Sequence, residues 1–165
     1  MVELLILQFL PLLGALIVLL LPKEKRELAA VLSLLISLAE LVLAFFLKER
    51  LTVYLGLGLG VTMVLAFDQL TAIVLVTLSG ACAFSILYSL KKPLGHERSP
   101  SFYSLILLVL FGTVGVALAR DLIQFYVFWE TMLIPAWALV VNWNEDPQRV
   151  RYTGLKFFII THIGA

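Results

Sequence analysis

Six long apolar runs, separated by short charged segments, dominate this 165-residue sequence. A helix needs about 20 apolar residues to cross the roughly 30 Å hydrocarbon core of a bilayer. Five runs come close to that length and the sixth is shorter: 4–21, 28–47, 70–90, 102–119, 122–141 and 152–165. The runs predict an all-α, polytopic transmembrane helix bundle with five full spans, an incomplete sixth and no soluble domain.

Composition points to the same class of protein. Hydrophobic residues make up 62% of the chain and charged residues 14%, whereas a soluble domain carries about 25% charged residues. A net charge of +1 provides no basic surface for nucleic acid, so we expect the lipid bilayer and no nucleic acid as a partner. The single cysteine, Cys82, excludes a multi-cysteine metal site, and we interpret it as a small buried filler.

The sixth run is too short to span a bilayer, and it ends on Ile163-Gly164-Ala165 without a charged or aromatic anchor. Backbone carbonyls left unpaired inside the bilayer would each cost several kcal/mol. We therefore expect an incomplete chain, or a continuation supplied by another polypeptide.

Lysine and arginine are distributed unequally between the two sets of loops. One set holds Lys23, Lys25, Arg26, Lys91, Lys92, Arg98, Arg149 and Arg151, and the other holds Lys48, Arg50 and Arg120. Because basic loops stay in the cytoplasm, loops 22–27, 91–101 and 142–151 are predicted to be cytoplasmic and the N-terminus to lie outside the inner membrane. Residues 52–67 alternate between apolar and small or polar residues, which predicts a short hairpin on the outer face.

Glu130 is the main candidate for ion chemistry. It is the ninth residue of the fifth run, roughly 12 Å along the helix and near the midplane. A carboxyl at that depth costs about 2.5–3.5 kcal/mol on insertion scales, and such groups usually serve a proton or ion path. Pro135 is expected to kink the same helix and to free the Thr131 carbonyl. The alternative is a single structural interhelical pair.

Three further polar residues lie within the runs. Glu40 shares a helix face with serines and suits either a subunit contact or an ion path. Lys156 either extends its ammonium to the cytoplasmic surface or feeds protons inward. His162 lies deeper and suits either a proton shuttle or a hydrogen-bonded packing role. The six-residue spacing of Lys156 and His162 excludes a metal-binding pair.

Two acids stand at predicted helix starts. Asp68 and Asp121 are interpreted as structural N-caps that accept hydrogen bonds from the first turn. Four aromatic residues are interpreted as packing and interface residues: Tyr126, Trp129, Trp137 and Trp143.

The fifth run resembles a known family. The string Asp121 to Glu130, which ends in Phe128-Trp129-Glu130, and the following Leu133-Ile134-Pro135 are similar to the antiporter-like membrane subunits of respiratory complex I. Those subunits are shared with Mrp-type Na⁺/H⁺ antiporters and membrane-bound hydrogenases. The stretch 154–161 resembles the start of the family's sixth helix, and Phe67-Asp68-Gln69-Leu70-Thr71 resembles the entry to its third.

The resemblance implies that Glu130 is the channel glutamate, whose lysine partners lie on later helices of the family. It carries nothing over to His162, which departs from the family pattern. We therefore expect the N-terminal part of a subunit in an ion-pumping complex. Its partners would be other membrane subunits, including a chain that supplies the later helices, and redox cofactors would lie in those partners.

Three alternatives stay open at this stage. The chain is either such a conducting subunit, a non-conducting assembly subunit, or a small independent homo-oligomeric transporter. A membrane enzyme is disfavoured because the sequence holds no His-rich cluster or nucleophile elbow, so no catalytic residue and no metal site are predicted.

Overall fold

The computed structural model of the chain describes residues 2–47, 51–58, 61–91, 100–142 and 147–164. Within them lie six α-helices and a two-stranded hairpin: α1 (Val2–Leu19), α2 (Arg26–Phe46), β1 (Leu51–Gly58), β2 (Val61–Phe67), α3 (Gln69–Lys91), α4 (Pro100–Leu118), α5 (Leu122–Asn142) and α6 (Pro147–Gly164). Across the described residues, α1 to α5 are long and apolar enough to cross a membrane. The predicted polytopic bundle with five full spans is confirmed.

The sixth helix begins earlier than the sequence predicts. The apolar run starts at Tyr152, but α6 starts at Pro147 and is 18 residues long. Proline suits the first helical position because the N–H that it lacks has no partner there anyway. A search for apolar residues therefore misses the polar first turn. Trp143 and most of the predicted loops, 92–99 and 143–146, lie outside the described residues.

Helix α4 occupies the middle of the bundle and packs against α1, α2, α3 and α5. The Ser104 hydroxyl donates a hydrogen bond to the Ala15 carbonyl of α1 at 2.8 Å. The Phe111 ring lies 6.3 Å from Phe9 of α1 and 5.7 Å from Phe128 of α5. These contacts show that α4 runs antiparallel to both α1 and α5.

Two glycines of α4 allow α5 to approach closely. A Cβ atom on Gly112 would lie 2.7 to 2.8 Å from atoms of Met132, and one on Gly115 would overlap the Phe128 ring. Only three residues, Ala119, Arg120 and Asp121, join the two helices. Their close antiparallel packing agrees with the short connection that the sequence predicts.

We expect Gly112→Ala to lower the free energy of unfolding by about 1–3 kcal/mol, because the added methyl group would overpack against the Met132 backbone. Thermal unfolding of the detergent-solubilised protein measures this change. Gly80→Ala is the matched control, since a Cβ atom there has its nearest neighbour 3.6 Å away in Leu41. Equal effects of the two substitutions would contradict the packing argument.

The hairpin is present where the alternation predicts it, and it anchors the start of α5. β1 and β2 pair antiparallel from Leu51↔Phe67 to Gly58↔Val61. The Gln124 side-chain oxygen accepts a hydrogen bond from the Val64 backbone N–H at 3.0 Å. We call this end of the bundle the hairpin end, and the opposite end, where α1 joins α2 and α5 is followed by α6, the loop end. The membrane face on which each end lies stays a prediction.

Asp68 and Asp121 both accept hydrogen bonds at helix starts. The Thr71 backbone N–H donates to the Asp68 carboxylate at 2.8 Å, and the Gln124 N–H donates to Asp121 at the same distance. Asp68 also pairs with Arg120 at 2.7 Å. The two hydrogen bonds from Thr71, and then the charge of Arg120, hold the pKa of Asp68 below its ordinary value. This cluster ties the hairpin, α3 and the α4–α5 turn together.

Asp68→Ala should lower the free energy of unfolding by about 0.5–2 kcal/mol, because it removes the cap of α3. Asp68→Asn keeps an acceptor and should lose only the exposed ion pair, about 0–1 kcal/mol. Since the folded-state pKa is lowered, this stabilisation is complete above the ordinary aspartate pKa and is lost as pH falls through the folded-state value. Thermal unfolding over an acid pH series measures both effects. A wild-type-to-Ala difference that does not change over that series would contradict the assignment.

Candidate functional site

Glu130 lies halfway along α5, on the side that faces α6. It is the ninth of 21 residues, which places it roughly 12 Å from the hairpin end of the helix. One carboxylate oxygen, Oε2, lies 3.0 Å from Nδ1 of His162. The other, Oε1, is buried without a hydrogen-bond partner. The side chain as a whole is 22% exposed, so the carboxylate is largely enclosed by protein.

The packing of α5 against α6 brings His162 to the level of Glu130. A Cβ atom on Gly154 would contact Val141 and the Trp137 ring, so the two backbones approach closely near the loop end. The Trp137 and Phe158 rings meet edge to face at 6.5 Å. The His162 ring then stacks on Phe158 at 5.4 Å with an interplanar angle of 14°. Successive aromatic contacts along an antiparallel pair thus fix the imidazole orientation.

The contact between His162 and Glu130 can hold one proton in two positions. With the proton on Nδ1, imidazolium and carboxylate form an ion pair, and with the proton on Oε2, imidazole and carboxylic acid form a neutral hydrogen bond. A separation of 3.0 Å is hydrogen-bond length in both cases. Histidine is the side chain that changes protonation most readily near neutral pH, so the pair is suited to proton exchange.

Aromatic residues with polar atoms flank the carboxylate. The Tyr126 hydroxyl, one turn earlier on α5, interacts with Glu130. The Trp129 ring stacks on Phe125 at 5.7 Å, and its indole N–H is buried without a partner. From the sequence alone, Tyr126 and Trp129 are interpreted as packing and interface aromatics. The four-residue spacing of Tyr126 and Glu130 is the signal that identifies Tyr126, because residues four apart share a helix face.

Lys156 does not join this pair. Its side chain is exposed and, with Tyr152, Leu155, Ile159 and Ile160, lines a shallow groove on α6. Among the described residues, its ammonium makes no ion pair. Glu40 lies on α2, which packs against α1, α3 and α4. The structure therefore brings together Glu130 and His162 among the four predicted ion-path residues.

Pro135 and Cys82, two further residues singled out from the sequence, are at least half-buried. Pro135 is buried within α5, which continues through it to Asn142. Thr131, whose carbonyl is opposite the proline nitrogen, donates its hydroxyl to the Val127 carbonyl at 2.7 Å. Cys82 is half-buried against the core. No group of three or more His, Cys, Asp or Glu side chains that could hold a metal ion occurs in the described part of the chain.

Comparison with known proteins gives a family-model match to the C-terminal part of the chain. Residues 119–165 match the family model described as NADH:quinone oxidoreductase/Mrp antiporter, TM. This segment includes α5, α6 and both members of the Glu130–His162 pair. Over this segment the chain resembles that family of membrane subunits.

Two relatives show the extent of the likeness. NADH-quinone oxidoreductase subunit M of Pseudomonas aeruginosa is 38% identical over 109 residues, which are 62% of this chain and 21% of that protein. F(420)H(2) dehydrogenase subunit M of Methanosarcina mazei is 31% identical over 107 residues, 65% of this chain and 21% of that protein. This chain thus spans about a fifth of the length of these relatives.

The fold has a match among solved structures. A chain of the membrane-bound sulfane sulfur reductase, an archaeal respiratory membrane complex, superposes with a TM-score of 0.77 at 23% sequence identity. The match covers 95% of this chain and 25% of that one. The six helices and the hairpin therefore follow the arrangement of one part of that larger chain.

A double-mutant cycle tests the pair at the centre of the site. We expect Glu130→Gln and His162→Gln to be non-additive in thermal unfolding, with a coupling free energy of about 0.5–3 kcal/mol, because each side chain is the other's direct partner. Glu27→Gln combined with His162→Gln is the control and should be additive, since Glu27 lies at the loop end of α2. Additivity in the Glu130–His162 cycle would show that the contact does not form.

Proposed function

We propose that this chain is the N-terminal portion of an antiporter-like subunit of a redox-driven, ion-pumping membrane complex. In this proposal Glu130 is the channel carboxylate for H⁺, or for Na⁺/H⁺ exchange. The observation that carries the proposal is the position of the Glu130 carboxylate in mid-helix, with one oxygen 3.0 Å from His162 and the other buried without a partner.

Energetics favours an ion-path role for this carboxylate over a packing role. Placing an acid at mid-span costs about 2.5–3.5 kcal/mol, and such groups usually face a bundle interior and serve transport. A neutral glutamine would preserve the shape and the hydrogen-bonding capacity at a lower cost. Retaining a titratable group beside a titratable imidazole is useful when the proton itself is the cargo.

A route from the loop end to Glu130 follows α6. Lys156 lies six residues before His162, roughly 9 Å along the helix axis toward the loop end. Its exposed ammonium would release a proton toward His162, whose Nδ1 contacts Glu130, and the resulting amine would take up a proton from the solvent. Glu130 would hold the proton at mid-depth until a group on another helix accepts it.

The complex is proposed from the relatives. Their names describe subunits of an NADH-quinone oxidoreductase and of an F(420)H(2) dehydrogenase. Because these proteins are about five times as long as the matched part, we expect further helices, from the same polypeptide or another, to complete the ion path. Any redox cofactors would lie in partner subunits, with this chain contributing ion transfer to the enzyme complex.

Glu130→Gln should abolish ion translocation by the assembled complex in sealed vesicles while leaving electron transfer measurable, because glutamine cannot bind and release a proton. Proton uptake is followed with a pH-sensitive dye and sodium uptake with a radioactive tracer, which also distinguishes H⁺ from Na⁺.

Glu27→Gln removes an acid from the loop end of α2 and serves as the control, with unchanged translocation expected. Full translocation by the assembled Glu130→Gln complex would instead assign the chain a non-conducting, structural role. Translocation by this chain without partner subunits would favour an independent transporter.

A further inference from the structure

Glu40 is the most deeply buried acid in the described part of the chain. Its side chain in α2 is 1% exposed, and both carboxylate oxygens are buried without a hydrogen-bond partner. A buried carboxylate is normally paired with a cation or with several donors, because the uncompensated charge is very costly in an apolar interior. This glutamate has neither, and it is separate from the Glu130–His162 pair.

Other polar side chains of the same helix interface are also without partners. They are fully buried and belong to three helices: Gln8 (through Oε1), Ser33 and Ser79. On α2, Ser33, Ser37 and Glu40 follow the four- and three-residue spacing of one helix face. We call Gln8, Ser33, Ser37, Glu40 and Ser79 the buried polar layer.

Helix contacts place the layer's members from α1 and α3 near the level of Glu40. The Gly80 position of α3 lies 3.6 Å from Leu41 of α2, so Ser79 and Glu40 are within about one turn of each other in depth. Gly14 of α1 lies against Ile36 of α2. Because the helices are antiparallel, Gln8 is within roughly 3 Å of the level of Glu40 along the bundle axis.

The charged and titratable groups on neighbouring elements leave this level without a cation. α1 carries the exposed Glu3, and α4 carries Tyr103, which accepts a hydrogen bond from Ser89 at 3.2 Å. α3 carries Cys82, Tyr88 and Lys91, the last being its final residue, at the loop end. The basic residues next to α2 that the structure describes, Lys23, Lys25 and Arg26, lie at its loop end, with Arg26 roughly 21 Å along the axis from Glu40. Across the described residues, no lysine, arginine or histidine pairs with Glu40.

We propose that Glu40 is a second proton-binding site, in which the carboxyl is carried as the neutral acid within the buried polar layer at neutral pH. A bound proton removes the charge that the apolar interior disfavours. The Ser37 hydroxyl, one turn away on α2, and the Ser79 hydroxyl and Gln8 Oε1, which lie at a similar depth, are the candidate acceptors for that proton. Ionisation of Glu40 then requires water or a cation to enter between α1, α2, α3 and α4, which links proton release to helix packing.

Infrared difference spectroscopy of membranes containing the assembled complex tests this proposal. At neutral pH, the wild-type minus Glu40→Gln spectrum should contain the carbonyl band of a protonated carboxylic acid. Glu40→Asp should shift the band and retain it. In Glu130→Gln membranes the band should be unchanged, so failure of the Glu130 proposal is distinguishable from failure of this one.

Two further measurements make the test decisive. Mass-spectrometric mapping after treatment with dicyclohexylcarbodiimide, which modifies protonated carboxyls in apolar surroundings, should identify Glu40 in the wild-type protein and needs no variant. Adding sodium chloride should leave both the band and the labelling unchanged. Absence of the band at neutral pH would overturn the proposal, and loss of band and labelling on adding Na⁺ would replace it with a sodium site.

Discussion

An acid inside a bilayer must either meet a neighbour that balances its charge or give up that charge, because the surrounding hydrocarbon stabilises neither ions nor unpaired dipoles. The two intramembrane glutamates of this chain meet the requirement differently. Glu130 has the His162 imidazole at 3.0 Å, whereas Glu40 is buried without a hydrogen-bond partner or an ion-pair partner among the described residues. The first arrangement favours proton exchange with a partner, and the second favours retention of a proton.

The position of Glu130 depends on packing far from it. Asp68, Arg120 and Asp121 fix the turn that begins α5, while Gly112 and Gly115 let α5 lie directly against α4. These contacts determine the rotation of α5 about its axis. With Phe128 and Met132 directed at α4, Glu130 is directed away from it and toward α6. Two glycines and a hairpin anchor thus decide which neighbour the carboxylate meets.

The sequence predicts the helices and the depth of Glu130 well, since both depend on local information. Apolar runs locate α1 to α5 within a few residues, and the depth of Glu130 follows from its place in its own run. The His162–Glu130 contact was not predictable, because it depends on how α5 and α6 cross, and that is set by Gly154 and Trp137. The isolation of Glu40 likewise depends on the side chains that three other helices present to it.

A histidine beside a glutamate differs physically from a lysine beside a glutamate. A lysine stays charged over most of the physiological pH range, so protonating its partner leaves a net positive charge in the bundle. The Glu130–His162 pair is neutral overall whether its shared proton lies on the carboxylate or on the imidazole. Moving that proton across the 3.0 Å contact therefore leaves the net charge of the site unchanged. Charge enters the bundle only when a second proton arrives. In the proposed ion path, the energetic cost is therefore concentrated at the step that would deliver that proton from the loop end, where Lys156 lies on the same helix as the imidazole.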